Sequence, residues 1–276
     1  MKLAPQQIDE FSRRYQANGF ISGIRVLSSA EAAHHRTFLE MAEASLGQSL
    51  HYLNKIHTVM PSAYEIATHP HLLDLVEALI GPDILLYNAT FIIKEPMSAA
   101  FVSWHQDLTY WGFDGTDQVS AWVALSPANA VSGCMQMIPG SHRQGIYPHI
   151  TSDDPDNILL QSQALADTDM AHGELCELKP GEVSLHHGWT VHCSLPNGTT
   201  DRRIGLNIQY IRPSMRQTQC NRDSAMLVRG SDRYQHFATD KRATGLPMSE
   251  DALEVLRAST SRYQQIAGSF NRNSKP

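Results

Sequence analysis

Residues 84–94 read ILLYNATFIIK and residues 203–211 read RIGLNIQYI. Both are short segments rich in β-branched and aromatic side chains, the composition of strands that pack on a half-buried surface. Between them lie further segments of the same texture: QVSAWVALS (118–126), GCMQMIP (133–139), EVSLHH (182–187) and TVHCS (190–194). Glu95-Pro96, Pro139-Gly140, Lys179-Pro180-Gly181 and Pro196-Asn197-Gly198 punctuate the series with turns. Many short strands separated by turn signals predict a sandwich or barrel. Residues 151–175 break the series as an excursion without strand character, either a lid or a helical insert.

Outward from this block the chain reads differently. Ile8, Phe11 and Tyr15 fall on one helical face. Ser28 and Glu31 form a capping-box pattern at the start of a second helix. A third, around His71–Ile80, is stopped by Gly81-Pro82. After Pro213 the sequence is polar, with a final helix entered through Ser249. One domain over 1–276 is predicted: a mostly helical flank (1–82), a β core (83–213) carrying the 151–175 insert, and a polar, helical tail (214–276). The 42% hydrophobic content suffices for one sizeable core. A net charge of −6, with no basic stripe, excludes an electrostatic nucleic-acid binder. No signal-peptide core and no long apolar run occur, so no membrane association is expected. The four cysteines form no CxxC pair, which predicts reduced thiols in a cytoplasm.

Trp104-His105-Gln106-Asp107 carries the chemistry. On a strand, residues i and i+2 face the same side, so His105 and Asp107 would deliver an imidazole and a carboxylate to one point. With a distant histidine they would make the two-His-one-carboxylate triad, which leaves positions on Fe(II) open for a chelating cosubstrate and O₂. Fourteen histidines in the chain make an isolated HxD a weak signal. The partner comes from HHGWTVHCSLPNGTTDRRIGL. A hairpin centred on Asn197-Gly198 would set His192 opposite Arg203, with Ser194 on the same face. A metal ligand, a hydroxyl and a guanidinium in one pocket suit 2-oxoglutarate, whose distal carboxylate needs a cationic fork. His186 and His187 read as core-edge residues or supports for the ligands. Cys193 would face away from His192 as a packing thiol.

WHQDLTYWG (104–112), AWVALSPANAVSGCMQMIPGSH (121–142) and VHCSLPNGTTDRRIGL (191–206) together resemble the phytanoyl-CoA dioxygenase family of 2-oxoglutarate oxygenases. The likeness runs from about Gly19 to about Arg212. It implies a mainly β protein with flanking α-helices, a double-stranded β-helix (jelly-roll, cupin-like) barrel, that couples oxidative decarboxylation of 2-oxoglutarate to hydroxylation. It also implies His105, Asp107 and His192 as iron ligands, Arg203 as the cosubstrate anchor, Ser194 as its hydroxyl partner and Trp122 flanking the cosubstrate. Lys55 in NKIH resembles a lysine that reaches the cosubstrate, and Asn88 or Thr90 would face it. Asp107 keeps the carboxylate that related halogenases lack, so hydroxylation is the expectation.

For the small-molecule substrate, Tyr110, Trp111, His57, Arg212 and Arg216 are candidates to line the pocket mouth. An amino-acid-like or phosphonate-like compound is favoured over acyl-CoA, since no Lys/Arg cluster is shaped for its phosphates. Two other readings stay open: a cupin-like metal-dependent oxygenase without 2-oxoglutarate, and a non-catalytic small-molecule-binding barrel. A hydrolase is not supported, because GxSxG is missing.

Overall fold

The computed structural model describes residues 5–152, 154–159, 163–165, 173–221, 223–241 and 249–273. Its centre is the antiparallel pair of β2 (Ile84–Lys94) and β11 (Arg203–Ile211), which run side by side from Arg203↔Lys94 to Ile211↔Leu85. Alternation sorts the two faces. Ile204, Leu206, Ile208 and Tyr210 join Ala89, Phe91 and Ile93 in the main hydrophobic core. Arg203, Asn207 and Gln209 line a cavity on the other face with Asn88, Thr90 and Ile92. Between Gln209 and Tyr210 the register slips, leaving Tyr87 as an extra residue on β2. That bulge sets Asn88, Thr90 and Ile92 on the cavity side.

Five further strands complete a seven-stranded sheet around this pair. They are β1 (Phe20–Arg25), β4 (Gln118–Ala124), β9 (Glu182–His186), β12 (Ser224–Arg229) and β13 (Ala238–Thr239), in the order β1-β9-β4-β11-β2-β12-β13. A second sheet holds β3 (Val102–His105), β10 (His192–Ser194), β5 (Met135–Met137) and β8 (Glu174–Cys176), in the order β3-β10-β5-β8. The two sheets form the jelly roll, and the cavity draws its lining from both. Helices α1 (Pro5–Asn18), α2 (Ser29–Leu46), α3 (Pro61–Ala67) and α4 (Pro70–Ile80) supply most of the core's second layer, including Phe11, Leu39, Ile66 and Leu75. The Ser28 capping box starts α2 as read from sequence. The last helix, α6 (Glu250–Asn273), begins after Ser249, whose hydroxyl accepts from the Ala252 amide.

Several expectations change. The helical flank contains β1, which pairs with β9 at the sheet edge. The C-terminal tail contributes β12, which pairs with β2. Both are edge or near-edge strands, for which short alternation is a weak sequence signal. In the 151–175 stretch, β6 (His149–Thr151) pairs with β7 (Gln163–Leu165) and β8 joins the second sheet, so strand character is present. Whether the stretch forms a lid turns on residues 153, 160–162 and 166–172, which lie outside the described residues. The Asn197-Gly198 hairpin does not form: β10 pairs with β3 and β5, while β11 lies in the other sheet. Asn197 instead pins a corner. Its Nδ2 donates to the carbonyls of Lys94, Glu95 and Asp201, and its Oδ1 accepts from Thr199.

Candidate active site

His105 ends β3, and Asp107 opens the short helix α5 (Leu108–Trp111) in a right-handed helical conformation, φ −57° and ψ −48°. The two converge because strand gives way to helical turn, not because both lie on one strand. His192 sits on β10 directly opposite His105. One atom from each of the three falls within 4.8 Å of the others.

Protonation follows from the partners. His105 Nδ1 lies 2.8 Å from the Ser103 carbonyl, and His192 Nδ1 lies 2.9 Å from that of Thr190. A carbonyl only accepts, so each Nδ1 donates and each neutral ring keeps its lone pair on Nε2. Those Nε2 atoms approach Asp107 Oδ1 to 3.5 and 3.9 Å. Asp107 Oδ2 accepts from the Ser120 hydroxyl at 2.8 Å and from His186 Nε2 at 3.3 Å. Ser120 in turn accepts from Gln118 Nε2 at 2.8 Å. Burial pushes the Asp107 carboxyl up, but the neighbouring imidazoles, with the hydrogen bond from His186, outweigh it and hold its pKa well below the usual range. Burial, the largest cause, pulls the His192 pKa well down and keeps the ring neutral. Three electron-pair donors thus face one point with no hydrogen between them, an arrangement that a divalent metal satisfies.

Arg203 is 1% exposed, and its Nε and Nη2 have no hydrogen-bond partner. Burial lowers its pKa to about 10, so it remains charged at neutral pH. The guanidinium stacks on Trp122 at 4.3 Å from the ring. Gly205 permits this: a Cβ there would lie 1.9 Å from Trp122 Cζ2. Directly across from Arg203, Lys94 is buried with its Nζ bonded to Ser194 Oγ at 2.8 Å, to the Ser194 carbonyl at 3.0 Å and to the Leu195 carbonyl. Burial, then the Arg203 charge, pull its pKa down to about 6, while three acceptors favour the three N–H bonds of an ammonium. A hydroxyl that accepts from Lys94 keeps its own hydrogen to donate elsewhere. The pocket therefore has an unpaired buried cation and a hydroxyl donor on its wall, which fits a dicarboxylate.

The remaining expected residues divide. Asn88, Thr90, Tyr110 and Trp111 line the cavity. Asn88 spends its side chain holding residues 54 and 55: Oδ1 accepts from the Lys55 amide and Nδ2 donates to Asn54. Lys55 points away, its Nζ pairing with Asp240 at 2.8 Å and with the Ser224 carbonyl, in a separate smaller cavity. Its backbone is left-handed, φ 63°. His57 is fully buried near Asp240 and does not line the main cavity. Arg212 is half exposed beside Asp117, and Arg216 donates to His236; neither reaches the cavity. The cations expected at the pocket mouth are therefore not there. His187 packs on His142, away from the ligands. Cys193 and both its neighbours border the cavity, and burial raises its thiol pKa to about 12. Sequence reasoning did not single out Lys94, Ser120, Tyr52, Asn207, Gln209 or Tyr263. Asn207 and Gln209 could have been found, since they follow Arg203 at even spacing on a legible strand.

Fold and site define a jelly-roll protein with a two-His-one-carboxylate cluster arranged to suit a metal ion. The family signature described as Phytanoyl-CoA dioxygenase (PhyH) matches residues 3–205, and the chain belongs to that family. Among curated relatives, a probable alpha-ketoglutarate-dependent hypophosphite dioxygenase of Stutzerimonas stutzeri is 29% identical over 61% of this chain and 60% of its own. The human peroxisomal phytanoyl-CoA dioxygenase is 34% identical over 53% of this chain and 45% of its own. The chain thus spans about half to three-fifths of these relatives' length. Among solved structures, the non-heme monooxygenase ThoJ, in its apo form, superposes with TM-score 0.81 at 31% identity, covering 95% of this chain and 99% of its own. CytC3 with Fe(II) and alpha-ketoglutarate shares the fold, with TM-score 0.64 at 20% identity over 90% of this chain and 97% of its own. Among the described residues no helix is long and apolar enough to cross a membrane.

Proposed function

We propose that the protein is an Fe(II)- and 2-oxoglutarate-dependent oxygenase that hydroxylates a small metabolite, converting 2-oxoglutarate and O₂ to succinate and CO₂. The observation that carries this reading is the pairing, in one cavity, of three hydrogen-free donors with the unpartnered Arg203 guanidinium. His105, Asp107 and His192 would hold the iron, which when bound supplies the oxidising chemistry. The chain's residues do the positioning. Ser120 and His186 hold Asp107 Oδ2 and leave Oδ1 for the metal. Arg203 takes the distal carboxylate, Ser194 donates its hydroxyl hydrogen to it, and Trp122 supports the guanidinium.

Of the substrate classes expected from sequence, an anionic phosphonate loses its support once Arg212 and Arg216 fall outside the cavity. The hypophosphite relative would keep that class open only if a cation other than Arg203 were available. An amino-acid-like compound remains compatible in its uncharged parts. A cupin-like oxygenase without 2-oxoglutarate would leave a buried guanidinium with nothing to bind.

The test is anaerobic addition of Fe(II) and then 2-oxoglutarate, read in the visible spectrum. A weak charge-transfer band needing both additions, and lost in Arg203→Ala and His192→Ala, is the expected result. No band and no 2-oxoglutarate affinity in the intact protein would refute the reading.

A further inference from the structure

Along β11 the cavity-facing positions after Arg203 and Gly205 are Asn207 and Gln209. Asn207 lies opposite Thr90 on one side and Trp122 on the other; Gln209 lies opposite Asn88 and Ser120. Thr90 and Gln209 are 3% and 4% exposed, yet Thr90 Oγ1, Asn207 Oδ1 and Gln209 Oε1 have no hydrogen-bond partner. Buried polar groups left unpaired cost stability unless something satisfies them, and three on adjacent strands facing one cavity mark a place where a ligand does so. Ser120, whose hydroxyl holds Asp107, is one strand away from Gln209, a spacing of about 4.8 Å. The cluster is therefore near the metal ligands, and its β11 backbone positions lie four and six residues beyond Arg203, about 13 Å or more at about 3.4 Å per residue, with the Trp122 indole between Asn207 and the guanidinium.

Charge decides what fits. Among the described residues lining the cavity, Asp107 and Arg203 alone carry a formal charge. Asp107 is committed to the metal centre and Arg203 to the cosubstrate, so a charged substrate group would be buried without a counter-ion, which is strongly unfavourable. Tyr110, Trp111 and Tyr263 add aromatic surface. Resting on the oxygenase reading above, we propose that Thr90, Asn207 and Gln209 form the primary-substrate subsite and take an uncharged amide- or hydroxyl-bearing compound with an apolar face. Each amide offers a donor and an acceptor, and Thr90 a hydroxyl, so the subsite matches neutral hydrogen-bonding groups and rejects carboxylates and phosphonates.

The test uses the full chain, loaded anaerobically with Fe(II) and saturating 2-oxoglutarate, and small probes of matched size: N-methylacetamide and 1,2-propanediol against propionate and ethylphosphonate. The readout is paramagnetic relaxation of each probe's protons, with Zn(II)-loaded protein as the diamagnetic control. Relaxation of the two neutral probes and not of the anions is expected. Apparent affinity should fall roughly tenfold in Asn207→Leu/Gln209→Leu and several-fold in Thr90→Val, the scale of one to two lost hydrogen bonds. A persisting 2-oxoglutarate-dependent band shows that the variants are folded. Relaxation of the anions instead, no relaxation of any probe, or neutral-probe relaxation indifferent to these substitutions would overturn the subsite. Absence of the band in the unsubstituted protein would instead remove the oxygenase reading beneath it.

Discussion

At the scale of the residue, Asp107 shows how one carboxylate is divided between tasks. Oδ2 is occupied by Ser120 and His186, so Oδ1 is the atom presented to the histidine Nε2 atoms. Groups that orient a ligand from behind commonly account for 10–100-fold of metal affinity. Ser120→Ala should therefore weaken Fe(II) or Co(II) binding by about tenfold or more, measured by competition with a chelator, while the fold persists. An unchanged affinity would mean that His186 alone orients the carboxylate. That His105, Asp107, His192 and Arg203 meet in one cavity was legible in sequence, because each lies in a short motif of distinctive residue types. Ser120, His186 and Lys94 were not, because their roles arise from strand pairing: Ser120 meets His186 across β4 and β9, and Lys94 meets Arg203 across β2 and β11.

Elements explain which strands could be read in advance. Residues 84–94 and 203–211 form the strands expected over the same bounds, since both carry long β-branched runs at the sheet centre. β1 and β12 were missed because they pair at or near the sheet edge, and α5 because four residues give no periodicity. The Asn-Gly signal identified a chain reversal but not its partners: the corner carries the chain from one sheet to the other, and Asn197 spends its amide on three carbonyls. β11 and β4 also meet at a close approach that one atom would destroy. Gly205→Ala places a methyl 1.9 Å from Trp122 Cζ2 and 2.2 Å from Cε2, within the indole and away from any flexible end. Overpacking of this kind costs about 1–3 kcal/mol. The displaced indole would withdraw its support from Arg203, so 2-oxoglutarate affinity should fall while metal affinity holds. Parallel titrations of metal and cosubstrate check this; equal losses in both would point to general unfolding of the site.

Across the whole molecule, the site is assembled from segments far apart in the chain. Tyr52 comes from the loop before α3, Tyr263 from α6, and the candidate metal ligands from the second sheet and the turn after β3. The final helix could be anticipated from Ser249, but the return of Tyr263 to the cavity is a long-range contact that no local pattern encodes. Such an assembly carries a stability signature centred on Arg203. Its guanidinium is 1% exposed with two nitrogens unpaired. Stacking on Trp122 returns about 0.5–2 kcal/mol, against a desolvation cost of several kcal/mol for a buried ion. Without cosubstrate, Arg203→Met should therefore be more stable than the parent, by about 2 kcal/mol. At roughly 2–4 °C per kcal/mol, that is a rise in Tm of about 4–8 °C. Saturating 2-oxoglutarate reverses the order: ligand at a hundred times its Kd stabilises the parent by about 2.7 kcal/mol and leaves the variant unmoved. Thermal melts of both proteins, with and without 2-oxoglutarate, should cross in this way. A variant that melts below the parent without ligand, or that still responds to 2-oxoglutarate, would show that the guanidinium is held by the fold for its own sake and not for an anion.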